Sequence, residues 1–132
     1  MPALNAWRGI TFEQVCFNHV DQIKMAMNVG GVASKESAWI VRGDEDHGGA
    51  QMDMLIIRDD RVVNLCEMKF LSKEFEPTAD DEMRFRSRIA TLQEYLSFKQ
   101  TIHMTLVTTV GLKSNAHSSV IQQTVTINQL FG

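Results

Sequence analysis

The segment Gly49-Ala50-Gln51-Met52-Asp53-Met54-Leu55-Ile56-Ile57-Arg58-Asp59-Asp60-Arg61-Val62-Val63-Asn64-Leu65-Cys66-Glu67-Met68-Lys69-Phe70 reads as two strands joined by a tight turn at Asp59-Asp60. The runs Met52 to Ile57 and Val62 to Cys66 are apolar on both faces. Such strands lie at the centre of a sheet covered by helices. Asp53, Glu67 and Lys69 are out of place there, because a charge removed from water needs a partner. Two carboxylates can hold a hard divalent cation, and a lysine one side-chain repeat away faces the same site. That set is what metal-dependent phosphodiester hydrolysis requires.

Side chains alternate across a strand, so Leu65, Glu67 and Lys69 share one face and Cys66, Met68 and Phe70 the other. Glu67 and Lys69 then stand about 7 Å apart along the strand. Asp53 joins them only if the hairpin register cooperates. A two-residue turn pairs Asp53 with Cys66 and leaves Glu67 on the opposite face. A three-residue turn or a bulge pairs Asp53 with Glu67 or Leu65 and brings all three together. In that case Asp53 and Glu67 would ligate Mg²⁺ or Mn²⁺, with waters completing the shell. The cation would polarise a phosphoryl oxygen and activate a bound water. Lys69 would orient that water or stabilise charge on the phosphorus. The competing structural reading is an ion pair at the end of a sheet.

Working outward, Thr11 to Asn28 reads as a helix, with Phe12, Val15, Cys16, His19, Val20, Ile23, Ala26 and Met27 at three- and four-residue spacing. Gly30-Gly31 is the expected left-handed terminator. Ser37 to Arg42 is a short strand and Gly43 to Gly49 a polar loop carrying Asp44, Glu45 and Asp46. After the hairpin, Leu71 to Thr78 is a polar connection. Asp80 to Gln100 is a second helix, with Phe85, Ile89, Leu92 and Leu96 on its buried stripe. Its acidic start suits the positive end of the helix dipole. Ile102 to Thr109 and Val120 to Ile127 are strand-like, with a loop from Gly111 to Ser119 between them. The order is helix, three strands, helix, two strands, with no internal repeat or linker.

At 132 residues, residues 1–132 are expected to form one domain. Hydrophobic content of 44% and charged content of 22% are ordinary for a globular chain. No secretory leader and no run of about 20 apolar residues is evident, so no membrane and a cytoplasmic location are expected. Cys16 and Cys66 fall in apolar segments and read as reduced core thiols. With 13 basic and 16 acidic residues the net charge is −3, which counts against broad, sequence-blind nucleic-acid affinity but not against a local basic stripe.

The chain resembles the PD-(D/E)XK nuclease superfamily, and more closely the nuclease-like domain at the C-terminus of bacterial AAA-type ATPases. The matching blocks are Arg8-Gly9-Ile10-Thr11-Phe12-Glu13, Trp39, Gly49-Ala50-Gln51-Met52-Asp53, Cys66-Glu67-Met68-Lys69-Phe70 and Thr108-Thr109-Val110-Gly111-Leu112-Lys113-Ser114-Asn115. Met52 stands where the superfamily name has proline. The resemblance implies an α/β, restriction-endonuclease-like αβββαβ core with a central mixed sheet flanked by helices. It implies Asp53 and Glu67 as ligands of Mg²⁺ or Mn²⁺, Lys69 as the catalytic lysine, and Glu13 as a fourth site member. It also implies DNA as substrate and an AAA-type ATPase as partner or parent chain. No Gly-x-x-x-x-Gly-Lys-Ser/Thr occurs, so the chain itself carries no ATPase.

Other residues have plainer readings. Glu13 by itself is an ordinary first-turn acid. Arg84, Arg86 and Arg88 either contact phosphates or form a solvated helix face paired with the preceding acids. His19 is a satisfied core or boundary histidine, since Cys16-x-x-His19 lacks the second pair a zinc site needs. His47, His103 and His117 are isolated, the methionines fill the core, and no Ser/His/Asp set is spaced for acyl transfer. Two functional classes follow. One is a metal-dependent nuclease; the other is a non-catalytic nuclease-fold module that docks an ATPase or forms a homodimer.

Overall fold

The structure is a computed structural model that describes residues 12–41, 51–96 and 99–131. The Arg8 to Thr11 part of the first matching block, the loop with Asp44, Glu45, Asp46 and His47, and Gly49-Ala50 lie outside the described residues. The elements are α1 (Phe12–Asn18), α2 (Val20–Ala26), β1 (Ser34–Val41), β2 (Gln51–Arg58), β3 (Val62–Lys69), α3 (Ala79–Tyr95), β4 (Thr101–Thr108), β5 (Gln123–Thr126) and α4 (Ile127–Phe131).

The sheet is five-stranded and mixed, in the order β1-β2-β3-β4-β5. β1, β2 and β3 form an antiparallel meander. α3 then carries the chain over one face, so that β4 runs parallel to β3 and β5 parallel to β4. This is the expected α/β class with helices on both faces. Alternation assigns the faces. Met54, Ile56, Cys66 and Met68 pack with Phe12, Cys16, Val20, Ile23 and Met27 of the opening helical segment. Leu55, Val63, Leu65, Met104 and Leu106 pack with Phe85 and Leu92 of α3. Both strand faces are therefore apolar because both are covered.

Several boundaries differ from the sequence expectations. The opening helix is interrupted at His19, whose backbone leaves helical geometry while its Nδ1 lies 2.7 Å from the Val15 carbonyl oxygen. The terminator is not the glycine pair but Asn28, at φ 62°, followed by hydrogen bonds from Asn28 N to Met25 O and Val29 N to Lys24 O. Asparagine tolerates the left-handed region because its short polar side chain bonds locally, and the two bonds close the helix end. β1 begins at Ser34 rather than Ser37, and α3 ends at Tyr95 rather than Gln100. The last strand is only Gln123–Thr126, because a short helix begins at Ile127. The Gln129 side-chain oxygen accepts from Thr126 N at 2.8 Å, half of a capping box that Thr126-x-x-Gln129 spells out. Among the described residues no helix is long and apolar enough to cross a membrane.

Candidate active site

The hairpin between β2 and β3 decides whether the acids meet. Arg58 ends β2 and Val62 begins β3, so Asp59, Asp60 and Arg61 form a three-residue turn, with Arg61 in the left-handed region at φ 68°. This is the three-residue alternative, and the two-residue turn is not adopted. Met54 consequently pairs with Cys66 and Leu55 with Leu65. One further step along the ladder sets Asp53 opposite Glu67, on the face that α3 covers. On its other side Asp53 pairs with Trp39 of β1.

The two carboxylates are held by α3. Thr78 caps that helix, with its side chain accepting from Asp81 N while the Asp81 carboxylate reaches back to Thr78 N. The fixed start sets the helix phase, and Phe85, Arg88 and Leu92 are its buried residues. Arg88 therefore enters the apolar stripe. Its Nη1 donates to Glu67 Oε1 at 2.7 Å and lies 3.6 Å from Asp53 Oδ2. One turn earlier, Arg84 Nη2 lies 3.4 Å from Glu67 Oε2 and 3.2 Å from Asp81 Oδ1. Asp53 and Glu67 are 0% exposed and Arg88 is 3% exposed. A buried carboxylate pair must be neutralised, and here guanidinium does so.

Lys69 follows Glu67 on the same face, half-buried, with Nζ 5.6 Å from the centroid of the Phe75 ring. Among the described residues it makes no ion pair with either acid. Beside it in register is Thr108, fully buried, whose hydroxyl has no hydrogen-bond partner. Phe75 also borders an open cleft of about 600 Å³ formed by the 71–78 connection and Lys113. That connection is pinned by Phe75 N to Gly111 O and Lys113 N to Phe75 O. The cleft lies where the chain leaves the carboxyl ends of β3 and β4, the usual place for ligands in open sheets with parallel strands.

Glu13 sits in the first turn of α1, whose Phe12 and Cys16 pack on the opposite face of the sheet. Its carboxyl is pushed above the ordinary range by burial. Among the described residues no group of three or more His, Cys, Asp and Glu side chains could hold a metal ion, so Glu13 does not complete a cluster with Asp53 and Glu67. Arg86 takes the plain reading: exposed, it pairs with Glu82 at 2.7 Å along the helix. Arg84 is partly exposed and pairs with the preceding Asp81, while also reaching Glu67; Arg88 is buried and faces carboxylates of the sheet instead of solvent. A charged residue four after Arg84 and between Phe85 and Leu92 was the signal for Arg88. Thr108 had no signal beyond its parity with Leu106.

Two adjacent carboxylates suit Mg²⁺ or Mn²⁺, which take one or two such ligands and keep several waters. Asp53 and Glu67 fit that role in kind and in position. In the conformation described, the Arg88 guanidinium holds the space between them.

No family model and no curated protein sequence matches this chain. A solved structure, the crystal structure of a protein of unknown function designated AF1548, shares the fold with a TM-score of 0.52 at 14% identity, over 88% of this chain. The chain spans 64% of that protein's length.

Proposed function

We propose that this chain is a metal-dependent phosphodiesterase of the PD-(D/E)XK kind, acting on nucleic acid and first of all on DNA. The observation that carries it is the meeting of Asp53 and Glu67 side by side on one sheet face, with Lys69 next along that face. Asp53 and Glu67 would hold Mg²⁺ or Mn²⁺, which when bound supplies Lewis acidity and a more acidic water. Lys69, whose Nζ lies over the Phe75 ring that borders the open cleft, would stabilise charge on the phosphoryl group. The cleft at the carboxyl ends of β3 and β4 would admit the strand. An AAA-type ATPase as partner or parent chain, and a homodimer, belong to the same proposal through the sequence resemblance.

A second reading has its own support. Complete burial of both acids under Arg88 suits a nuclease-fold module that docks an ATPase or dimerises without cutting. The deciding experiment incubates single-stranded, duplex and branched DNA with the chain and Mg²⁺ or Mn²⁺, beside Lys69→Ala and Glu67→Ala. The enzyme reading expects metal-dependent cleavage that each substitution lowers about 100-fold or more. Cleavage equal in the variants, or none in any protein or metal, removes it.

A further inference from the structure

Building on the metal-site reading above, we infer that Arg88 is a built-in stand-in for the divalent cation, and that metal entry requires its withdrawal from the Asp53–Glu67 pair. The Nη1 nitrogen lies 2.7 Å from Glu67 Oε1 and 3.6 Å from Asp53 Oδ2, so a positive group already occupies the space beside both acids where the cation would be held. A guanidinium and a dication cannot share it, because like charges at such separations repel strongly away from water. Both carboxylates are 0% exposed, and Arg88, at 3%, closes them from the helix side.

The surroundings give the clamp a reason to exist. Two carboxylates directly opposite each other in the sheet would repel if nothing neutralised them, so a fold that keeps both ionised before metal arrives needs a resident cation. Arg88 supplies it from a helix whose phase is fixed by the Thr78–Asp81 capping box. Arg84 is arranged differently. It is partly exposed, it reaches Glu67 only at 3.4 Å, and it has a nearer partner in Asp81 at 3.2 Å. Arg84 thus lends charge to the edge of the pair, whereas Arg88 holds its centre. Arg88 is a positioning residue here: it sets the carboxylates' places and the threshold for loading.

The closed state lowers apparent metal affinity by the fraction of molecules that are open. Mn²⁺ binding to the whole chain, measured by calorimetry, tests this with Arg88→Gln and with Arg86→Gln as a control of equal charge change. Arg88→Gln should bind Mn²⁺ at least about tenfold tighter than wild type, and Arg86→Gln should match wild type. Should Arg88→Gln not fold, wild-type binding kinetics followed by Mn²⁺ quenching of tryptophan fluorescence answer the same question. Withdrawal of Arg88 before binding makes the observed rate level off at high Mn²⁺. Equal or weaker affinity in Arg88→Gln, or a rate that rises linearly without limit, overturns the inference and leaves the metal site standing. Binding by neither wild type nor Arg88→Gln removes the metal reading and this inference with it.

Discussion

Glu67, in the third strand, accepts a 2.7 Å hydrogen bond from Arg88, on the helix that follows it, with both side chains shut off from solvent. This one contact ties the central strand to the crossover helix and neutralises the acid pair. Removing one partner of a buried ion pair leaves an uncompensated charge, which costs about 3–5 kcal/mol. Arg88→Met should therefore lower the urea unfolding free energy by about that amount. Arg86→Met breaks only an exposed pair with Glu82 and should change it by less than about 0.5 kcal/mol. Equal effects would show that the Glu67–Arg88 bond is not what holds this face.

The turn that sets the register has a strain point. Arg61 has φ 68°, a conformation glycine adopts freely and other residues at a cost of roughly 1–2 kcal/mol. Arg61→Gly should be neutral or stabilising by up to about 1 kcal/mol in thermal melts. Deleting Val62 while the three-residue turn is kept slips the pairing by one and sets Asp53 against Met68 and Glu67 against Met54. That variant should lose most of its stability, because Glu67 would enter the apolar layer under α1. A deletion that melts like wild type would contradict the register described.

How much of this was legible in the chain follows from the kind of interaction involved. The apolar runs around Asp53 and Glu67 announced covered central strands, and alternation alone put Glu67 and Lys69 on one face. The register was not legible, since it rests on one arginine taking a left-handed conformation that nothing in Asp59-Asp60-Arg61 demands. Arg88 was open to notice: it interrupts the spacing of Phe85 and Leu92, and a charge on a buried stripe must meet an opposite charge somewhere. Its partner lies 21 residues away in sequence, so periodicity could not name it. Thr126-x-x-Gln129 marked the last helix start, but the alternation of Val125 and Ile127 read more strongly as strand.

The loop after β4 is fastened to α3 by His117, whose Nδ1 lies 3.0 Å from Glu82 Oε1, while Arg86 donates to the other oxygen. These bonds, His117 first and Arg86 second, hold the Glu82 carboxyl below its ordinary value of 4.5. A depressed folded-state pKa means stability that is present above 4.5 and lost as pH falls through the lower folded value. In melts from pH 6 to pH 3, at about one-unit steps, the gap between wild type and Glu82→Gln should hold and then close on the acid side. A gap that widens in acid would have the wrong sign.

Cys16 and Cys66 are both buried and free. Burial foremost, then the charge of Glu13, pushes the Cys16 thiol up to about 12. Burial likewise raises the Cys66 thiol. Thiolate is the reactive form, so neither should react with Ellman's reagent in the native state except by unfolding. The labelling rate should rise with urea in step with the unfolding rate. Fast labelling of one thiol in buffer would mean that the core beneath α1 opens locally.

Glu13 is the site candidate on which pH and metal give separate answers. Burial raises its carboxyl above 4.5 in the folded state. Stability from the neutral form is then complete below 4.5 and is lost as pH rises through the folded value, so the ionised group weighs against the fold at neutral pH. Glu13→Gln should melt higher than wild type at pH 7 and equal to it at about pH 4. The same substitution removes a neighbouring negative charge from Cys16 and should ease that thiol's ionisation. Because Glu13 lies on the helix that packs on the sheet face away from Asp53 and Glu67, Mn²⁺ affinity should be the same with and without its charge. A loss of Mn²⁺ binding in Glu13→Gln would instead bring the opening helix into the metal site, as the sequence resemblance implied.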